Sequence, residues 1–152
     1  MAPFILLIGF LLILSGFFSA SETAIFSLSH IQLHNMKKTR KRPARMLSEA
    51  LKQPRQILIT ILLGNELVNV SISIVSAALV AHTLRVGPLA EALLSVSIAT
   101  PLVLILGEII PKNLGLRFAP SYSQFAIVPL KVFSGLVQPL RYALTSVADW
   151  FV

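Results

Sequence analysis

The sequence contains no cysteine and few charged residues. Without cysteine, the chain has no disulfide, no thiolate metal site and no cysteine nucleophile. Charged residues make up only 12% of the 152 residues, against about a quarter in a typical soluble domain. Hydrophobic residues make up 55% of the chain, and its mean hydropathy is +0.82. This balance indicates an integral membrane domain.

Positive charge is concentrated in one segment of the chain. The formal net charge is +7, and eight of the thirteen Lys and Arg residues lie between Lys37 and Arg55. A juxtamembrane cluster of this kind marks the cytoplasmic side and attracts anionic lipid headgroups. No aromatic residues interleave with these charges, which argues against nucleic-acid binding. We therefore expect membrane lipids, and no nucleic acid, as partners of Lys37–Arg55.

Long apolar runs predict an all-α membrane protein with three transmembrane helices, at about residues 3–28, 56–84 and 89–111. A pair of short cytoplasmic helices is expected at about residues 30–55. A juxtamembrane amphipathic belt helix, in preference to a fourth span, is expected at about residues 119–150. No basic residue precedes the first apolar run, so the N-terminus does not resemble a signal peptide. The expected topology is multi-pass in the cell (inner) membrane, with the N-terminus outside and the C-terminus cytoplasmic.

Three glutamates lie at membrane depth, next to glycine or small polar residues: Glu22, Glu66 and Glu108. A charged side chain near the bilayer centre costs ~2.5–3.5 kcal/mol even on the insertion scale, so it marks a functional site by default. Serine, threonine and asparagine are different, because they often hold transmembrane helices together without binding an ion. Any single Ser or Asn here is more readily explained in that way.

The first two spans each carry a polar stripe at helical spacing. The stripe of the first span consists of Ser15, Ser19, Glu22, Thr23 and Ser27, and that of the second of Asn65, Asn69, Ser73 and Ser76. Ser21 lies off the first stripe. Either it faces a different neighbour, or the helix is locally unwound there.

The third span is interrupted by Pro101 and Pro111. A proline cannot donate to the carbonyl four residues before it, so Pro111 frees the carbonyl of Gly107. A freed carbonyl at membrane depth needs a partner, and a cation is one such partner. Lys112, one turn after Glu108, is either an ion-pair partner for that carboxylate or a snorkelling end of the span.

The polar groups of the three spans are all oxygen ligands, which suit Mg²⁺ or Na⁺ better than softer metals. His30 and His34 have the spacing of a metal pair, but no nearby carboxylate completes a ligand set, and we favour an interfacial surface. The chain is not expected to be an enzyme. The spans contain no aspartate for an acid dyad, and their only histidine, His82, lies near an outer end.

Three motifs occur in order along the chain: Phe18–Ala24 (FSASETA), Leu63–Asn69 (LGNELVN) and Gly107–Lys112 (GEIIPK). Together they resemble the transmembrane domain of the CorC / cyclin-M (CNNM) family of magnesium transporters, and the resemblance covers nearly the whole chain. It implies a homodimer that exports Mg²⁺ in exchange for Na⁺. Paired cystathionine-β-synthase-type (CBS) domains and a CorC-type domain follow in full-length relatives and are absent from residues 1–152. The CBS domains would be partners of this domain in the full-length protein.

The resemblance also implies which groups bind the transported ion. The Mg²⁺ ligands would be Ser19, Ser21, the Ala20 carbonyl, Asn65, the Gly107 carbonyl and Glu108. Supporting, gating or Na⁺-binding roles would fall to Glu22, Thr23, Glu66, Asn69 and Lys112. Mg²⁺ is then the substrate ion and Na⁺ the coupling ion. The alternative is a non-transporting scaffold or regulator of Mg²⁺ homeostasis, and a passive channel is a third hypothesis.

Overall fold

The computed structural model describes residues 1–38, 42–84 and 87–140, and within these ranges it is helical, without strands. The helices are α1 (Ala2–Phe26), α2 (His30–Lys38), α3 (Arg42–Ala50), α4 (Pro54–Leu84), α5 (Pro88–Leu102), α6 (Ile110–Arg117) and α7 (Ala119–Leu136). A π-helical segment, Val103–Ile109, joins α5 to α6. The predicted all-α class is confirmed.

Three helical stretches of the described chain are long and apolar enough to cross a membrane, as predicted. They are α1, α4, and the continuous rod from Pro88 to Arg117 formed by α5, the π segment and α6. The rod continues beyond residue 111, where the third span was expected to end. Pro111 stands in the first turn of α6, a position that tolerates a missing N–H, so it does not terminate the helix.

Helix α1 is the centre of the bundle and packs against α4, the π segment, α6 and α7. Its buried face is made largely of small residues, including Ser15, Ser19, Ala20 and Ala24. Small side chains allow neighbouring helices to approach closely. Helix α6 approaches the α1 backbone closely at Gly115, where a Cβ atom would lie 2.5 Å from the carbonyl oxygen of Ala20. Most of the large exposed apolar side chains of α1 lie in its N-terminal half, before Ser15.

Helices α2 and α3 are the predicted pair of short helices between the first two spans. Helix α3 packs against α7, which in turn contacts α1 and α4. Of the predicted belt helix, α7 accounts for Ala119–Leu136, and residues 141–152 lie outside the described residues. Ala126, Ile127 and Leu130 of α7 are buried, whereas Phe125 and other large apolar residues are exposed on its other side. An interfacial helix is expected to have such an apolar outer face.

Candidate cation site

Ser15 lies where α1, α4 and the π segment meet. Its hydroxyl donates to Oδ1 of Asn69 at 2.8 Å and lies 3.4 Å from Oδ1 of Asn65, both on α4. On the other side is Gly107 of the π segment, where a Cβ atom would lie 2.7 Å from the Ser15 hydroxyl oxygen. Only glycine allows this approach without a shift of the neighbouring groups. Three of the residues predicted to lie together therefore surround one serine hydroxyl.

The network continues from Asn69 to a carboxylate. The amide nitrogen of Asn69 donates to Oε1 of Glu108 at 3.4 Å, a long bond between half-buried side chains. Glu108 belongs to the π segment, whose geometry is seen in the bond from the Ile110 N–H to the Ile105 carbonyl, five residues earlier. Single π turns inside α-helices are frequent at functional sites. The arrangement thus links a hydroxyl, side-chain amides and one carboxylate across three helices.

Ser19 lies one turn after Ser15 and is completely buried. Its hydroxyl oxygen is the one fully buried side-chain polar atom of the described residues that lacks a hydrogen-bond partner. A buried hydroxyl without a partner costs about 1–3 kcal/mol, so its presence in the bundle needs an explanation. A hard cation or a water molecule is a suitable partner for such an oxygen.

Ser21 and Ala20 face other neighbours. The Ser21 hydroxyl donates to the Phe17 carbonyl of its own helix. The Tyr122 hydroxyl of α7 donates to the same carbonyl at 3.4 Å, and the pKa of Tyr122 is raised by burial and lowered in part by the Ser21 hydroxyl. The Ala20 backbone contacts Gly115 of α6. Helix α1 is continuous through this region, so Ser21 faces a different neighbour and the alternative of local unwinding is wrong.

The residues predicted to have supporting or gating roles also face different neighbours. Lys112 Nζ lies 3.6 Å from Oε2 of Glu22, and this pair, not one with Glu108, joins α6 to α1. Glu66 is exposed and Thr23 is half-buried. Across residues 1–38, 42–84 and 87–140, neither side chain hydrogen-bonds to the network around Ser15.

The described residues contain no group of three or more His, Asp or Glu side chains able to hold a metal ion. A cation at the candidate site would therefore rely on neutral oxygens and a single carboxylate, Glu108. Such a set of ligands suits a hard cation that binds weakly enough to dissociate again. It is less suited to a metal that stays permanently bound.

Sequence reasoning missed two features of this site. Ser15 was recognised as part of the polar stripe but not as the contact point of three helices. The sequence feature that could have identified Ser15 is its position four residues before Ser19, one turn earlier on the same helix face. The π segment was also missed, although it lies between Pro101 and Pro111, the two prolines of the span.

Comparison with known proteins gives matches along most of the chain. Residues 6–152 match the family model described as the cyclin M transmembrane N-terminal domain. The chain is 27% identical over 137 residues to the UPF0053 inner membrane protein YfjD of Escherichia coli, covering 88% of this chain and 31% of that protein. It is 28% identical over 152 residues to the UPF0053 protein sll1254 of Synechocystis, covering 99% of this chain and 41% of that protein. A UPF0053 protein of Haemophilus influenzae is 31% identical over 130 residues, covering 83% and 30% of the two chains. The chain thus spans well under half the length of these relatives.

Proposed function

Because the chain belongs to the cyclin M transmembrane domain family, we propose that it is the membrane part of a secondary transporter that exports Mg²⁺. In this proposal Na⁺ influx drives export, and the ions bind in turn at the site around Ser15, Ser19 and Glu108. The protein acts as a carrier, with no catalytic residues. The observation that carries the proposal is the buried hydroxyl of Ser19, which lacks a hydrogen-bond partner within the described residues. It lies one helical turn after Ser15, whose network contains amide and carboxylate oxygens.

The ligand chemistry supports a cation that keeps part of its water. Mg²⁺ takes octahedral oxygen coordination and gives up water reluctantly, so a few protein oxygens and one carboxylate suffice to hold it. Asn65, Asn69 and Glu108 supply side-chain oxygens, and the Gly107 carbonyl has no donor four residues later because Pro111 has no N–H. Na⁺ would use an overlapping set of the same oxygens, so the two ions compete.

The proposed exchange depends on movement between helices. In secondary transporters, broken helices line the ion site, and rigid bundles rock around it. Here the π segment is the irregular element, and the Glu22–Lys112 pair ties α1 to α6. We propose that this pair opens and closes with the transport cycle. The assembly would be a homodimer with external N-termini, and the CBS domains expected in the full-length protein would regulate it.

The test is Mg²⁺ efflux from loaded proteoliposomes under an inward Na⁺ gradient. We expect Asn69→Ala and Glu108→Gln each to reduce the initial rate at least tenfold, the loss that removal of about 1.4 kcal/mol of ion binding produces. Asn113→Ala, on an exposed position of α6, and Glu91→Gln, in the first turn of α5, are matched controls and should transport normally. Normal rates in both site variants would refute the proposed site.

A second function, a non-transporting scaffold, is favoured by one observation. The bonds from Ser15 to Asn69 and from Asn69 to Glu108 join three helices and are of the kind that stabilise helix association without transport. A scaffold would show no Mg²⁺-dependent thermal shift. A bound ion at about 100 times its Kd adds ~2.7 kcal/mol to the free energy of unfolding, so the two functions are distinguishable.

A further inference from the structure

A cavity of about 300 Å³ lies away from the cation site, between α3, the first turns of α4, and α7. Three buried apolar side chains, Ile57, Ile127 and Leu130, form one wall of it. Polar side chains from all three helices form its rim, among them Glu49, Gln53, Gln56 and Lys131. We call this cavity the hairpin pocket. Its volume is at the lower end of the range for ligand sites.

The hairpin pocket lies at the level where the second span begins. Helix α4 starts at Pro54, and its charged and polar first turn gives way to apolar sequence at Ile57. Both Gln56 and Ile57 line the pocket, so it straddles the polar–apolar boundary of the span. On α7, Val128 and Val132 flank this region with exposed apolar surface. An occupant of the pocket is therefore exposed to lipid on one side and to water on the other.

The charges at the rim favour an anion. Lys131 is exposed, and within the described residues no carboxylate lies within ion-pair distance of it. Glu49, the acidic residue of the rim, is already paired with Arg45 at 3.2 Å. The first turn of α4 adds the positive end of a long helix dipole to the same rim. The pocket thus combines a lysine that is unpaired within the described residues with an apolar wall.

We propose that the hairpin pocket binds an anionic phospholipid from the adjacent leaflet. The phosphate contacts Lys131 and the side-chain amides of Gln53 and Gln56, and an acyl chain covers the apolar wall. The accessible lining of the pocket is mainly apolar, and a soluble phosphate would leave it exposed, which is why a lipid is the better occupant. Because the pocket is shared by α3, α4 and α7, a lipid bound there holds the short helices against the transmembrane bundle.

The experiment measures thermal unfolding of the chain in nanodiscs of phosphatidylcholine with an increasing fraction of phosphatidylglycerol. We expect a saturable rise in Tm. Lys131→Gln should raise the phosphatidylglycerol fraction at half-saturation about fivefold, the affinity that one lysine supplies at an anionic surface. Arg117→Gln removes the same charge from the last turn of α6, outside the pocket and outside Lys37–Arg55, and should leave that fraction unchanged.

A variant that fills the pocket gives a second, independent readout. Ala50 lines the pocket from α3, and Ala50→Phe should abolish the saturable rise while the protein still folds in phosphatidylcholine alone. Equal shifts in Lys131→Gln and Arg117→Gln would overturn the proposal in favour of diffuse attraction to the membrane. A Tm that does not change with the phosphatidylglycerol fraction would overturn the proposal as well.

Discussion

Replacing Ser19 with alanine should stabilise the ion-free protein while weakening its response to Mg²⁺. The hydroxyl of Ser19 is fully buried and has no partner in the described part of the chain, so its removal relieves a desolvation cost. A structural serine would behave in the opposite way, because alanine would remove a hydrogen bond. The sign of the change in stability therefore separates an ion ligand from a residue that only holds helices together.

The expected magnitudes follow from the same hydroxyl. An unpaired buried hydroxyl costs about 1–3 kcal/mol, and the lower value is appropriate in a membrane, where the unfolded helices also find partners. An increase of about 1 kcal/mol raises the Tm of a chain of this size by ~2–4 °C. With Mg²⁺ at about 100 times the wild-type Kd, the ion adds ~2.7 kcal/mol, and a tenfold weaker variant retains ~1.4 kcal/mol.

The assay is thermal unfolding in detergent across a Mg²⁺ titration, with Ca²⁺ and Na⁺ titrations beside it. Ser123→Ala is the matched control, because Ser123 is equally buried but its hydroxyl bonds to the Pro120 carbonyl at 3.3 Å. The control should lose a little stability and respond to Mg²⁺ as wild type does. The reasoning is refuted if Ser19→Ala unfolds at a lower temperature without Mg²⁺ and keeps the full Mg²⁺-dependent shift.

Two further predictions concern the contacts of α1 with α6. Gly115→Ala should lower the free energy of unfolding by about 1–3 kcal/mol, because the new Cβ would lie 2.5 Å from the Ala20 carbonyl oxygen. At Gly135 a Cβ would meet nothing within 4 Å, so Gly135→Ala should be neutral or slightly stabilising. Equal Tm values for the two variants would contradict this prediction. For Glu22 and Lys112, 3.6 Å apart with side chains 29% and 44% exposed, a double-mutant cycle with glutamine in chemical unfolding should give a coupling of about 0.2–1 kcal/mol. Strictly additive effects would show that the pair does not interact in solution.

The sequence predicted the membrane class and the three spans because both depend on length and hydropathy, which are local properties. Runs of apolar residues long enough to cross a bilayer predicted most ends of the spans to within a few residues. The exception is the end of the third span. Pro111 suggested a stop, but a proline in the first turn of a helix is tolerated, and whether it ends a span depends on the turn before it.

The candidate site was less accessible to sequence reasoning, because it depends on which helix each side chain faces. Helical spacing placed Ser15 and Ser19 on one stripe and Ser21 off it, as the structure has them. It did not reveal that Ser15 would contact both α4 and the π segment. That contact requires Gly107 to lie against α1, and the position of Gly107 depends on the π turn, which no local pattern predicts.

The structure also changes how the first motif should be interpreted. Successive residues of a helix point about 100° apart, so a run of four samples every side of α1. Within the described residues Ser19 is buried without a hydrogen-bond partner, and Ala20 contacts Gly115. Ser21 donates to the Phe17 carbonyl, which also accepts from Tyr122 of α7, and Glu22 pairs with Lys112 of α6. The motif contains many small and polar residues because α1 has neighbouring helices on several sides. Only part of the motif faces the candidate ion site. A variant in this motif that loses transport is therefore evidence for an ion ligand only when its stability without Mg²⁺ is preserved.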